Sequence, residues 1–121
     1  MKLYTRSDFL KLPSKTIYSR VDNDGCDLCY GLFCKTSGAD YGADWVEQDL
    51  ISEPGFPNGI VDGFEAIQYQ LGLRDSFEDF RTDLNCAGRD GMFDSSDLFV
   101  VWDKSDISAL VSYLLGCISA S

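Results

Sequence analysis

The chain has 121 residues, enough for one hydrophobic core and too few for two, and 45% apolar content with 13% aromatics excludes a disordered polymer. Twenty acidic residues against ten basic ones give a formal charge of −10, which argues against direct contact with nucleic acid phosphates or anionic lipid. Histidine is absent, so Ser-His and Cys-His catalytic pairs and imidazole metal ligands are excluded together.

Thr5-Arg6-Ser7-Asp8 reads as a capping-box variant, opening a short helix that carries Phe9, Leu10 and Leu12 and stops at Pro13. Thr16 to Val21 is β-branched and aromatic, as a strand requires. Asp22-Asn23-Asp24-Gly25 is turn chemistry, and Cys26 to Lys35 reads as the returning strand of a hairpin. Residues 36–44 read as loop. Trp45 to Ile51 suits a third strand or a short helix, and the run 53–59, with two prolines and two glycines, breaks the chain. Ile60, Phe64, Ile67 and Leu71 then recur at helical spacing, with Gly72 placed as a C-cap. Phe77 to Leu84 alternates weakly, as a further strand would. Leu98 to Trp102 is apolar on both faces, which predicts a central strand covered on both sides. Asp103 or Ser105 caps a last helix whose Ile107, Leu110, Val111, Leu114, Leu115 and Ile118 form one apolar stripe. Helices and strands mix without regular alternation. The expected class is therefore α+β: residues 1–121 as a single domain, with three or four antiparallel strands packed by two main helices and a short N-terminal helix.

The chemistry-bearing patterns are weak. Cys26 and Cys29 have metal-knuckle spacing, and Cys34 and Cys86 would complete four ligands, but Leu28 offers no turn chemistry and no second such pair exists. Five cysteines leave one over in any disulfide scheme, so reduced thiols are expected. Asp83, Asn85, Gly88 and Asp94 fall at positions one, three, six and twelve of a calcium loop; Ala87 removes one ligand and Arg89 adds a positive charge. No phosphate-cradling glycine loop appears. No enzyme activity, metal or cofactor is expected.

Charge carries the functional signal. Residues 1–39 sum to +2 and residues 40–106 to −12. Asp75, Glu78, Asp79, Asp83, Asp90, Asp94 and Asp97 lie within 23 residues, punctuated by Arg74, Arg81 and Arg89. Carboxylates on a rigid framework imitate a phosphate array and engage basic surfaces. The same spread also serves as ordinary solvated surface that keeps a small protein in solution. No apolar run reaches the roughly 20 residues of a membrane span, and the first residues lack a signal-peptide core, so a cytoplasmic location is expected.

The opening Leu3-Tyr4-Thr5-Arg6-Ser7-Asp8-Phe9-Leu10-Lys11-Leu12-Pro13 with Thr16-Ile17-Tyr18-Ser19, and the closing Cys86-Ala87-Gly88-Arg89-Asp90-Gly91-Met92-Phe93-Asp94 with Leu98 to Trp102, resemble small acidic proteins of tailed phages and prophages. The resemblance covers both ends, about half the chain, and nothing aligns in residues 36–60. It implies a phage accessory protein in a bacterial cytoplasm and carries over no catalytic residue. The leading expectation is a non-catalytic inhibitor of a host protein with a basic surface, of the anti-restriction or anti-CRISPR kind. A small-molecule or metal sponge is the alternative, with Arg74, Arg81 and Arg89 holding phosphate and Trp45, Tyr69 or Trp102 stacking on a base. A phage assembly factor is the third reading.

Overall fold

Six short runs become strands in the computed structural model, which describes residues 1–22, 27–37, 44–51, 63–89 and 96–120. The strands are β1 (Lys2–Thr5), β2 (Ile17–Arg20), β3 (Tyr30–Lys35), β4 (Val46–Asp49), β5 (Gly88–Arg89) and β6 (Leu98–Val101). They form one sheet in the order β1-β6-β2-β3-β4-β5, every neighbour antiparallel. The helices are α1 (Arg6–Leu10), α2 (Gly63–Ser76) and α3 (Lys104–Ala120). The α+β class and the antiparallel sheet are as expected.

The hairpin of β2 and β3 forms, its base closed by the Asp22 amide donating to the Asp27 carbonyl at 3.0 Å; the turn residues Asn23 to Cys26 lie outside the described residues. Within Trp45 to Ile51, Val46–Asp49 is strand rather than helix. β6 is interior, and its neighbours Phe99 and Val100, on opposite faces, are both buried. Thr5 caps α1 by accepting from the Asp8 amide at 3.3 Å. Asp103 caps α3, accepting from the Asp106 amide at 2.9 Å while the Asp106 carboxylate reaches back to the Asp103 amide at 3.3 Å. The Met1 ammonium joins the same two carboxylates at 3.2 and 2.6 Å, tying the start of the chain to the head of α3.

Three expectations need correction. The sheet is wider than three or four strands, because Lys2–Thr5 pairs with the outer side of β6 and Gly88–Arg89 with the outer side of β4. Phe77 to Leu84 adds no strand, since β4 takes its outer partner from Gly88–Arg89 instead. Helix α2 starts at Gly63 and runs through Gly72 to Ser76, so Gly72 is a helix-interior residue with nothing near its α-carbon hydrogens.

The core is a ring cluster rather than a sheet roofed by two long helices. Phe9, on α1, stacks on Phe99 with centroids 4.4 Å apart and meets Tyr18 and Trp45 edge-on at 4.6 and 4.9 Å. All four rings are fully buried, and such pairs add about 0.5–1.5 kcal/mol each beyond the area they bury. One short helix closes that face. Among the described residues α2 and α3 bury no side chain: Phe64, Ile67 and Leu71 on α2, and Val111, Leu114, Leu115 and Ile118 on α3, are exposed.

Candidate functional site

Helix α1 spans five residues, so it covers one part of the ring-bearing sheet face and leaves a cleft beside it. The cleft, about 330 Å³, is lined by Arg20, Val21, Tyr30, Glu47, Asp97, Leu98 and Phe99. A bulge builds it. Tyr18 pairs with Phe33 but Arg20 pairs with Tyr30, so β3 carries one extra residue between those positions. Gly31 supplies the turn with φ +69°, and a Cβ there would lie 2.6 Å from the Phe33 ring. The shift turns Tyr30 onto the face of Arg20, as bulges commonly re-aim a side chain.

The floor is a polar network laid over the aromatic core. Arg20 Nη2 donates to both Glu47 oxygens at 2.9 and 2.8 Å, and its guanidinium lies 5.2 Å from the Phe33 ring centroid and 5.7 Å from that of Phe99. The Tyr18 hydroxyl donates to Glu47 Oε2 and accepts from Trp45 Nε1 at 3.0 Å. Every buried side-chain nitrogen and oxygen among the described residues has a partner. Burial first, and the Glu47 charge second, push the Tyr18 phenol well above the ordinary 10.0. A phenol whose folded value is raised contributes stability that is complete below pH 10 and is lost progressively above it, toward the raised value. The urea midpoint of the wild type is therefore expected to fall between pH 10 and 11.5, and Tyr18→Phe to flatten that fall. An unchanged slope in the variant would mean that Tyr18 does not drive it.

The predicted acidic residues fall in separate places. Asp75 lies in the last turn of α2, and Glu78 and Asp79 follow the helix; all three are exposed, and among the described residues none forms an ion pair with Arg74 or Arg81. Asp83 is turned inward to local work: its carboxylate accepts from the Asn85 amide at 2.9 Å and its carbonyl from Gln48 Nε2 at 3.1 Å. Asp97 lines the cleft. Asp90 and Asp94 lie outside the described residues, as do positions eight to twelve of the calcium-loop pattern. At positions six and seven, Gly88 and Arg89 form β5 against Glu47 and Val46.

Between the exposed acids stand two rings. Phe77 is 89% exposed and Phe80 59% exposed. Phe77 also holds φ +55° just past α2, its amide donating to the Leu73 carbonyl at 3.0 Å. That left-handed position after a helix usually takes glycine; a bulky residue there is strained by about 1–3 kcal/mol.

Of the stacking residues expected for a nucleotide, Trp45 is removed by full burial, and the Trp102 indole donates to Ser19 Oγ at 3.0 Å. Cys29, Cys34, Cys86 and Cys117 form no disulfide; Cys26 lies outside the described residues. Sequence reasoning missed Arg20, Tyr30 and Glu47. A buried arginine needs a carboxylate, but the strand register that supplies Glu47 from 27 positions away is not written locally. Among the described residues no helix is long and apolar enough to cross a membrane. No protein-family model, curated protein or solved structure matches the chain.

Proposed function

We propose that this chain is a non-catalytic binding protein that docks on a basic protein surface through the segment following α2. The observation that carries the reading is the run Asp75 to Phe80, in which three exposed carboxylates flank two exposed phenyl rings. Protein interfaces combine these parts: aromatic side chains anchor in pockets, and charges at the rim set partner choice and encounter rate. Phe77 is held against its backbone preference and gains no burial within the chain, which fits a ring placed for a partner. Asp83, Asp90, Asp94 and Asp97 extend the negative field over the rest of the segment and favour approach by a positive surface.

The biological setting proposed is that of a phage accessory protein acting in the bacterial cytoplasm as an inhibitor of a host protein, restriction or CRISPR machinery included. It rests on the resemblance of the two chain ends to phage proteins and on the sign of the charge. A small-molecule sponge is the second reading, and the observation in its favour is the cleft beside α1.

The test is capture from bacterial lysate followed by affinity measurement on the captured partner. Reversing Asp75, Glu78 and Asp79 to lysine is expected to weaken binding at least tenfold at low salt, and Phe77→Ala separately by about tenfold, the loss usual for an anchoring ring. Wild-type affinity is expected to fall as salt rises through the range where the screening length drops from about 30 to about 8 Å. Affinity indifferent to both the reversal and salt would remove the proposal.

A further inference from the structure

We propose that the cleft between β2, β3, β4 and β6 is a subsite for one short alkyl cation, of the kind an arginine or lysine side chain presents. The floor cannot serve an anion. Arg20 already gives one guanidinium nitrogen to both oxygens of Glu47, at 2.9 and 2.8 Å, so its charge is met by a carboxylate in direct contact. Asp97 then stands as a second carboxylate at the lip, half-buried and, among the described residues, without a hydrogen bond or ion pair. Among the described residues, two carboxylates against one guanidinium leave the cleft negative, within a chain whose formal charge is −10. An incoming phosphate or carboxylate is therefore repelled, and a cation is drawn to Asp97.

The walls select what the cation is attached to. Val21 and Leu98 are aliphatic, and Tyr30, 46% exposed, offers an aromatic ring. An alkyl stem lies against the aliphatic pair while the charged head meets the carboxylate and the ring, where a cation gains further attraction. The volume, about 330 Å³, sits at the low end of the roughly 300–1,000 Å³ typical of ligand pockets, which leaves ample room for one side chain. The Gly31 bulge interrupts the β2–β3 register and puts Tyr30 opposite Arg20; an unbulged strand would place it on the other face. This subsite stands apart from the segment after α2 and does not depend on that reading.

The probes are propylguanidinium and butylammonium, with propylurea as the neutral comparator of nearly the same shape. Each is titrated into the 15N-labelled protein and followed by amide chemical shifts. The two cations are expected to perturb Tyr30, Asp97 and Leu98 and to bind about fivefold more tightly than propylurea, the upper range for a partly exposed ion pair. Among the described residues Asp97 makes no hydrogen bond or ion pair, so Asp97→Asn is expected to remain folded and to bring cation and urea within about twofold. The triple lysine variant at Asp75, Glu78 and Asp79 is expected to bind the cations as the wild type does, which separates failure here from failure of the docking segment. Equal binding of propylurea, perturbations centred on residues 75–80 rather than on the cleft, or no saturation by about 50 mM would each overturn the proposal.

Discussion

Glu47→Ala is expected to destabilise the fold by about 3 kcal/mol, measured by urea unfolding at pH 7, because it strands a largely buried guanidinium. The pair is only 17% and 18% exposed, and Arg20 is held over three aromatic rings. Removing the carboxylate leaves Arg20 charged in that setting and takes away the acceptor of the Tyr18 hydroxyl. Breaking one side of such a pair is worse than never having had it. The double variant Arg20→Met with Glu47→Leu is therefore expected to lose less than Glu47→Ala alone, within about 1–2 kcal/mol of wild type, since both charges leave together and apolar volume remains. If the double variant instead loses the sum of the two single losses, the pair is not coupled and the network over the core contributes no more than its separate contacts.

Why that network escaped the sequence while other features did not is a matter of range. The β6 strand was legible because four consecutive apolar residues have no other use, and the head of α3 because Asp103 and Asp106 sit three positions apart with both cap bonds local. The β2–β3 hairpin was legible from its turn residues. β1 was not: Lys2-Leu3-Tyr4-Thr5 has only two apolar residues, and it is a strand because β6 presents an open edge. β5 has two residues and exists only against Val46 and Glu47. Gly72 was misplaced as a cap because glycine ends helices more often than it lies within them, yet the segment after it keeps helical hydrogen bonding through Ser76. The apolar stripe of α3 was read correctly as a stripe and wrongly as core, since periodicity states which face is apolar and says nothing of what covers it. At the candidate site the acids were visible as charge. The difference between Asp83, bound into a turn, and Asp75, Glu78 and Asp79, facing water, was not, because it depends on Gln48 reaching from β4 to the 83–86 turn.

Lys35→Met is expected to cost about 2–4 kcal/mol, although lysine is among the residues least often buried. Its ammonium has no exposed surface and donates to the carbonyls of Phe9, Leu10 and Leu12 at 3.0, 3.2 and 2.9 Å. Those carbonyls belong to the last residues of α1 and the chain leaving it, where a helix runs out of its own donors. Pro13 follows and brings no amide hydrogen. Phe9 keeps a bond from the Leu12 amide at 3.0 Å, so the loss falls on the Leu10 and Leu12 carbonyls. Burial pushes the Lys35 ammonium below its ordinary 10.5, an opposing contribution that Met removes. The three carbonyls outweigh it, because hydrogen bonds to a charged donor are each worth about 1.5–3 kcal/mol. Methionine keeps the apolar stem and isolates the donor, whereas Lys35→Ala should lose a further 1 kcal/mol or so of packing. Amide exchange of Phe9 to Leu12 is expected to quicken in Lys35→Met more than exchange in β2 and β3, because the ammonium is what pins α1 over the rings. Wild-type stability in Lys35→Met, with exchange in α1 unchanged, would mean that water reaches those carbonyls and that the ring cluster alone holds the helix in place.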